Sequence, residues 1–242
     1  HLYYADRITQ LPLAIFGTAL GIALLPRLSR YIKQGESDSK IFYTLNRSLE
    51  FSILISLPAV IGLLIFAKPI INILFERGAF TSIDTYYTSL ALVFFSTGLP
   101  AYILIKIFNP IFFAHEDTKT PLYITIICLI VNVIISLLLI KYYREIGIAI
   151  ATSISSWLNA LILYVVLRTK RQISIDSQCR KNIIKITCAA IFMLLICSLL
   201  SNIMAEELMD SNFLIRVFYL MLNILIAIIV FIVLVFMIKI YS

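Results

Sequence analysis

The chain has 242 residues, of which 61% are hydrophobic and 14% are charged, and its formal net charge is +7. Soluble domains are about 45 to 50% apolar and about 25% charged, so this composition excludes an ordinary soluble protein and indicates one whose solvent is the bilayer. In such a chain the positions of the basic residues are more informative than their sum, and the positive charge does not indicate a nucleic-acid partner.

The sequence predicts seven transmembrane helices, because an apolar stretch of about 20 residues is long enough to cross the hydrocarbon core. The predicted spans are Leu2–Leu28, Leu45–Phe66, Thr85–Phe113, Pro121–Ile140, Ile146–Leu167, Ile183–Met204 and Phe213–Ile238. Helices satisfy their backbone polar groups internally, as lipid requires, and no alternating strand pattern competes with them. The predicted fold class is therefore all-α, a polytopic membrane helical bundle.

The basic residues are distributed unevenly between the two sides of these spans. The linkers after the first, third, fifth and seventh spans, with the adjoining span ends, hold 13 Lys and Arg residues, and the opposite side holds four. The positive-inside rule assigns the richer side to the cytoplasm. We therefore predict a cytoplasmic C-terminus and a first span that runs from outside to inside.

Arg7 follows Asp6 near the outer end of the first span. A guanidinium at membrane depth costs at least about 2.5 to 3.5 kcal/mol on insertion scales, so two interpretations are open. Arg7 is either a residue that reaches the headgroups with Asp6 as its partner, or an anion-binding residue that faces a water-filled cavity. Because a guanidinium fork matches phosphate oxygens, the second interpretation predicts a phosphorylated ligand.

The first span also contains a candidate hinge at Pro12, Gly17 and Gly21. Proline interrupts the helical hydrogen-bond ladder, and two glycines four residues apart form a small face that allows another helix to approach closely. Simple kinking and a hinge that bends between two transport states both fit this pattern.

The sequence contains no motif for catalysis, metal binding or nucleotide binding. The four cysteines form no CxxC pair and the two histidines are far apart, so we expect no metal site, no disulfide and no cofactor, and we interpret the cysteines as small core residues. Without a GxxxxGK[ST] loop or an arguable acid/base pair, the chain is predicted to be neither an ATP-driven pump nor an enzyme.

Several segments closely resemble the MurJ (MviN) family, the bacterial lipid II flippases of the MOP exporter superfamily. The segments Tyr3-Tyr4-Ala5-Asp6-Arg7, Leu11-Pro12, Phe16-Gly17 and Leu25-Pro26-Arg27-Leu28-Ser29 resemble the eighth transmembrane helix of that family. The segment from Leu74 to Thr81 is similar to its loop between helices nine and ten, Asp117 to Pro121 to its entry into helix eleven, and Asn159, Tyr164 and Arg168 to its helix twelve.

This resemblance implies that the seven spans are helices eight to fourteen of a fourteen-helix transporter. Residues 1–168 would then supply five helices of the second lobe, and residues 169–242 a basic linker and a C-terminal helix pair that forms a lipid groove. The resemblance further implies that Arg7 binds the substrate diphosphate and that Asp6 and Gln10 lie at a gate or cavity. The family often has an acidic residue where this chain has Gln10.

The implied function is to flip the undecaprenyl-diphosphate-linked peptidoglycan precursor lipid II across the bacterial cytoplasmic (inner) membrane. The implied partners are lipid II, membrane lipids and the N-terminal half of the same transporter, since a chain that starts at His1 rather than Met is expected to be part of a longer protein. Two alternatives stay open: a related exporter of polysaccharide lipid intermediates or drugs, and a nontransporting membrane scaffold or split-gene remnant.

Overall fold

A computed structural model describes residues 1–208 and 213–237, without the side chains of Phe16, Thr18 and 200–208. Within this part, nine α-helices and one π-helical turn follow one another, and no strand occurs. The elements are α1 (Leu2–Pro12), the π turn (Leu13–Gly17), α2 (Thr18–Lys33), α3 (Asp38–Phe75), α4 (Ser82–Thr97), α5 (Leu99–Ala114), α6 (Lys119–Tyr143), α7 (Glu145–Thr169), α8 (Ser177–Leu208) and α9 (Phe213–Met237). The last residues of the seventh predicted span and of the predicted C-terminal unit lie outside the described residues.

Seven helical segments in the described chain are long and apolar enough to cross a membrane, and each coincides with one predicted span. The all-α membrane fold class is therefore confirmed. Most of the helical segments extend further than the predicted spans, and α3 already begins at Asp38. Hydropathy detects the part of a helix that lies in hydrocarbon, whereas a helix continues through polar residues until its hydrogen-bond ladder ends.

The first span is not a regular helix. Pro12 ends α1 and a π turn over Leu13–Gly17 joins it to α2. Because Pro12 has no N–H to donate to the preceding turn, the ladder is weakened at this residue, and a π turn is one way in which a helix accommodates such a defect. The other internal prolines, Pro26, Pro58, Pro69 and Pro110, lie within continuous α-helices.

The third span is divided at Gly98 into α4 and α5. The start of α4 is fixed by a reciprocal capping box, in which Thr81 Oγ1 accepts from the backbone N–H of Asp84 and the Asp84 carboxylate accepts from the backbone N–H of Thr81. At its other end, Ser153 Oγ of α7 donates to the carbonyl of Phe94. α7 therefore packs directly on the break in the third span.

Helix α3, with 38 residues, is the central element of the bundle. At the end of the bundle that carries His1, residues of α3 between Leu63 and Ile71 pack with α1 and α4. At the end that carries Arg168, residues of α3 between Ile41 and Leu49 join a core that includes α2, α5 and α7. One helix thus contributes to the core at both ends.

Helices α8 and α9 pack against α3 as well. Ile61 and Phe66 of α3 form one cluster with buried residues of α8, such as Met193, and with Ala227 and Phe231 of α9. The C-terminal helix pair is therefore attached to the remainder of the bundle through α3.

Candidate functional site

Arg7 is exposed on a face of the first span that also presents Tyr3, Leu11 and Ile15. Its Nη1 donates a hydrogen bond to Gln10 Oε1 over 3.2 Å, and its Cζ lies 5.0 Å from the centroid of the Tyr3 ring. Among the described residues no carboxylate forms an ion pair with it. Since a guanidinium has five N–H donors, most of them stay available for a ligand.

Gln10 connects the two charged residues of this face. Its Nε2 donates to Asp6 Oδ2 at 2.5 Å, while its Oε1 accepts from Arg7. The direct pairing of Asp6 with Arg7 that one interpretation of the sequence required is wrong for this structure. Adjacent residues of a helix point in different directions, whereas residues three and four apart are neighbours, so Gln10 reaches both.

The opposite face of α1 is packed, which fixes the direction in which Arg7 points. Ala5, Ile8 and Thr9 are buried, and Ala5 and Ile8 belong to the cluster that α3 and α4 form. Thr9 Oγ1 donates to the carbonyl of Ala5 over 3.1 Å, so the buried hydroxyl is satisfied within the helix. Rotating α1 about its axis would expose this packed face.

The candidate hinge residues lie where the first span is irregular or closely packed. Pro12 precedes the π turn, and Gly17 ends it. A Cβ on Gly17 would lie 3.6 Å from Ile103 Cγ1, and one on Gly21 would lie 3.2 Å from the carbonyl oxygen of Lys106. The predicted close approach of another helix is therefore confirmed at Gly21, where that helix is α5, whereas Gly17 is in ordinary van der Waals contact with α5. Their role as a hinge stays a prediction.

A groove of approximately 1080 Å³ opens beside the first span, and every residue that lines it is apolar. The α3 wall includes Leu54, Pro58, Gly62, Phe66 and Ile70, and the α9 wall includes Ile224, Ile228, Phe231, Ile232 and Val235. Met193 of α8 and Pro12 of the first span complete it. A groove with this lining has room and surface for a hydrocarbon chain, and no polar side chain lines it.

The first span carries Arg7 and also lines the groove through Pro12. Arg7 precedes Pro12 by five residues, which at 1.5 Å per residue is about 7.5 Å along the helix axis. The family resemblance implied a lipid groove formed by the C-terminal pair, which stays a prediction; that α3 would line a groove was not predicted, because residues facing a groove and residues facing lipid are equally apolar. The small residues Ala59 and Gly62 were the available signal.

Two groups of ionisable side chains lie away from this site. His1 bridges Asp84 and Glu145, with N···O distances of 2.8 and 2.7 Å. Glu50 lies close to Asp176 and Cys179 at the start of α8. A carboxylate oxygen of Glu50, one of Asp176 and Sγ of Cys179 are the donor atoms of this second group that could hold a metal ion. Three of the four cysteines are buried as predicted, whereas Cys188 is exposed.

Sequence comparisons match this chain to proteins of one kind. A family model described as lipid II flippase MurJ matches residues 1–219. A protein of Rickettsia prowazekii (strain Madrid E), named probable lipid II flippase MurJ, is 42% identical over 239 residues, which are 95% of this chain and 45% of that protein. A protein of the same name from Rhizobium tropici is 45% identical over 166 residues, which are 69% of this chain and 31% of that protein.

A solved structure agrees with the sequence comparisons. The structure of a lipid II flippase MurJ in an inward closed conformation matches 98% of this chain with a TM-score of 0.81 and 28% sequence identity, and the match covers 46% of that protein. The chain thus spans less than half the length of these relatives. The family model covers most of the chain, and the chain belongs to the lipid II flippase MurJ family.

Proposed function

We propose that this chain is the C-terminal part of a transporter that moves lipid II from the cytoplasmic to the outer leaflet of the bacterial inner membrane. The observations that carry the proposal are an exposed Arg7 that has no carboxylate partner among the described residues, and an apolar groove that the same span lines through Pro12. A polyprenyl diphosphate has an anionic head joined to a long hydrocarbon tail. An exposed guanidinium and an apolar groove in the same bundle match the two parts of such a ligand.

In this proposal Arg7 binds the diphosphate, and Asp6 and Gln10 set the direction of its guanidinium. The hydrogen bond from Arg7 to Gln10 and the contact with Tyr3 reduce the side-chain freedom that binding would otherwise remove. A bidentate contact between guanidinium and phosphate is both short and directional, which favours arginine over lysine at this position. Pro12, Gly17 and Gly21 are proposed to let the first span bend as the transporter changes state.

Residues 1–168 are proposed to form five helices of the second lobe, and residues 169–242 the linker and the helix pair that complete the groove. The partner of this chain is then the N-terminal half of the same transporter, which would face the exposed side of the first span. The distribution of basic residues supports a cytoplasmic C-terminus.

The role of Arg7 is tested in a chimera in which this chain replaces the matching 239 residues of the Rickettsia prowazekii relative. The chimera is expressed in a strain depleted of its own flippase. We expect Arg7→Ala to abolish growth at normal protein levels and Arg7→Lys to restore little of it, while Arg30→Ala, an exposed arginine at the other end of the span, grows normally. Normal growth with Arg7→Ala would overturn the role, and a chimera that supports no growth at all would favour a nontransporting scaffold or remnant.

The groove is tested separately with Gly62→Phe. No atom outside its own helix lies within 4 Å of a Cβ built on Gly62, and Gly62 lines the groove, so a side chain at this position would occupy groove space. We expect retention of undecaprenyl diphosphate by the purified chain, measured by native mass spectrometry, to fall about tenfold, which corresponds to about 1.4 kcal/mol. Leu137→Phe on the exposed face of α6 is the matched control, and equal retention in both variants would show that the tail does not lie in the groove.

A further inference from the structure

A cluster of polar side chains lies between α3 and the start of α8. A carboxylate oxygen of Glu50, a carboxylate oxygen of Asp176 and Sγ of Cys179 are all within 4.8 Å of one another. Glu50 and Cys179 are fully buried at 0% exposure, whereas Asp176 is partly open to solvent. Three donor atoms of metal-binding type thus converge at a place with one open side.

The local structure keeps the α8 residues in position. Asp176 precedes α8, and its Oδ1 accepts a hydrogen bond from the backbone N–H of Cys179, as an N-cap residue does. Cys179 Sγ lies 3.6 Å from the backbone carbonyl of Asn46, one helical turn before Glu50 on α3. The thiol therefore points at α3 because the cap fixes the first turn of α8.

Several buried polar atoms of this cluster make no hydrogen bond. Glu50 Oε1 is one of them, and Asn46 Oδ1 and Asn182 Nδ2 are two others within a turn of Glu50 and Cys179. Buried polar groups are nearly always paired, and an unpaired carboxylate oxygen in a medium of low dielectric is costly. The Glu50 carboxylate, completely enclosed and adjacent to a thiol, indicates that this place binds a cation.

The charges of the cluster lead to the same conclusion. Arg47 Nη1 lies 2.8 Å from Glu50 Oε2, and Arg47 Nη2 lies 3.4 Å from Asp176 Oδ2. The positive charge of Arg47 balances only one of the two carboxylates, so Arg47, Glu50 and Asp176 together carry one net negative charge. A divalent cation bound to both carboxylates and to the thiolate of Cys179 would make the group neutral, and Arg47 leaves Glu50 Oε1 available to it.

We propose that Glu50, Asp176 and Cys179 bind a divalent transition-metal ion, for which zinc is the best match. Zinc is borderline soft and binds thiolate and carboxylate together, whereas calcium and magnesium bind oxygen. With metal–ligand distances of about 2.0 to 2.3 Å and tetrahedral angles, two donors of one zinc ion are about 3.3 to 3.7 Å apart, so the three atoms, now within 4.8 Å of one another, would draw together by about 1 Å on binding. On binding, the Cys179 thiol releases its proton to solvent and its sulfur forms the bond to the ion.

Such an ion would join the linker between α7 and α8 to α3, and so fix the helix pair that forms one side of the groove. This proposal does not depend on the substrate, and it departs from the expectation from sequence that the chain has no metal site. Its test measures metal binding alone. Failure of the metal proposal would therefore leave the proposed transport function unaffected, and the reverse also holds.

The test uses the whole chain, purified in detergent with an affinity tag that contains no histidine. After treatment with a chelator and dialysis against Zn²⁺, we expect one equivalent of zinc by elemental analysis, and Co²⁺ in its place should give the absorption band of a cobalt–thiolate bond. Cys179→Ser should lose the cobalt–thiolate band and at least tenfold in affinity, and Glu50→Gln should weaken binding in the same way.

Cys188→Ser is the matched control, because Cys188 lies on the same helix but is exposed. It should bind like the unchanged chain, and circular dichroism of every variant establishes that the helices persist. Absence of zinc binding by the folded chain, or binding that is equal in Cys179→Ser, would overturn the proposal.

Discussion

The indole N–H of Trp157 donates a hydrogen bond to the backbone carbonyl of Thr97, with 2.9 Å between nitrogen and oxygen. Thr97 is the last residue of α4, and the carbonyls of a last helical turn have no partner within their own helix. In hydrocarbon an unsatisfied carbonyl is costly. α7 therefore stabilises the break in the third span by supplying donors from its side chains.

This arrangement predicts that Gly98 cannot be enlarged. A Cβ on Gly98 would lie 2.9 Å from Ser153 Oγ and 3.2 Å from its Cα, and the backbone of α7 cannot move away without losing the contacts at the break. We expect Gly98→Ala to lower the free energy of unfolding in detergent by about 1 to 3 kcal/mol. Gly62→Ala meets no neighbour and should leave it unchanged or raise it, so equal effects of the two substitutions would contradict the steric explanation.

Gln10→Glu tests how the polar face of α1 is organised. The new carboxylate would lie in the position of the amide that now accepts from Arg7 and donates to Asp6. It would form an ion pair with Arg7 and compete with a diphosphate for the guanidinium. We expect the affinity of the chain for undecaprenyl diphosphate to fall about tenfold, or about 1.4 kcal/mol, by native mass spectrometry.

The matched variant is Gln10→Met, which has a similar length and no charge. It should bind the diphosphate more tightly than Gln10→Glu does. The reverse order would show that Gln10 does not control the guanidinium.

The His1 bridge predicts a pH dependence of stability. Both ring nitrogens face carboxylates, and the hydrogen bond with Asp84, followed by the one with Glu145, raises the pKa of His1 above its ordinary 6.5. A raised pKa in the folded state gives a stabilisation that is complete below 6.5 and is lost as the pH rises through the raised value. Thermal unfolding of the chain from about pH 6 to about pH 8 should show this loss, and His1→Gln should remove it.

His115 is a control because its pKa is shifted in the direction opposite to that of His1. Burial, reinforced by the charge of Lys170, lowers the pKa of His115, so its contribution is present at high pH and is lost as the pH falls through 6.5. His115→Gln should therefore preserve the loss of stability toward high pH. If His1→Gln leaves the loss of stability toward high pH unchanged, the hydrogen bonds of His1 with Asp84 and Glu145 do not contribute to the pH dependence.

Asp117 and Lys170 should differ in their effects on stability although they form one ion pair. Lys170 Nζ lies 2.6 Å from Asp117 Oδ2, and Asp117 also accepts hydrogen bonds from the backbone N–H and the hydroxyl of Thr120. Asp117→Ala removes the hydrogen bonds to Thr120 in the first turn of α6 as well as the pair, and should cost about 1 to 2 kcal/mol. Lys170→Ala removes a surface ion pair and should cost less than about 1 kcal/mol. Chemical denaturation of both variants gives the two values, and equal losses would mean that the hydrogen bonds to Thr120 do not contribute.

The sequence predicted those features that depend on local spacing. The seven spans follow from hydropathy. The small face of Gly17 and Gly21 was predicted, but not that Lys106 and Ile103 would meet it. Which helix covers which face depends on packing between distant segments, and apolar periodicity does not encode it.

Long-range polar contacts were the features that the sequence could not predict. Glu50 and Cys179 are far apart in the chain and share no motif, yet α3 and α8 bring them together. Asp6 and Arg7 are adjacent in the sequence, which favoured a direct pair, and the helical geometry placed Gln10 between them instead.

Pro12 belongs both to the irregular point of the first span and to the wall of the groove. A tilt of α1 relative to α2 about that point therefore changes the width of the groove at the same time as it displaces Arg7. A single movement at Pro12, which has no amide hydrogen to hold the helix straight, would then act on both ends of an amphipathic ligand.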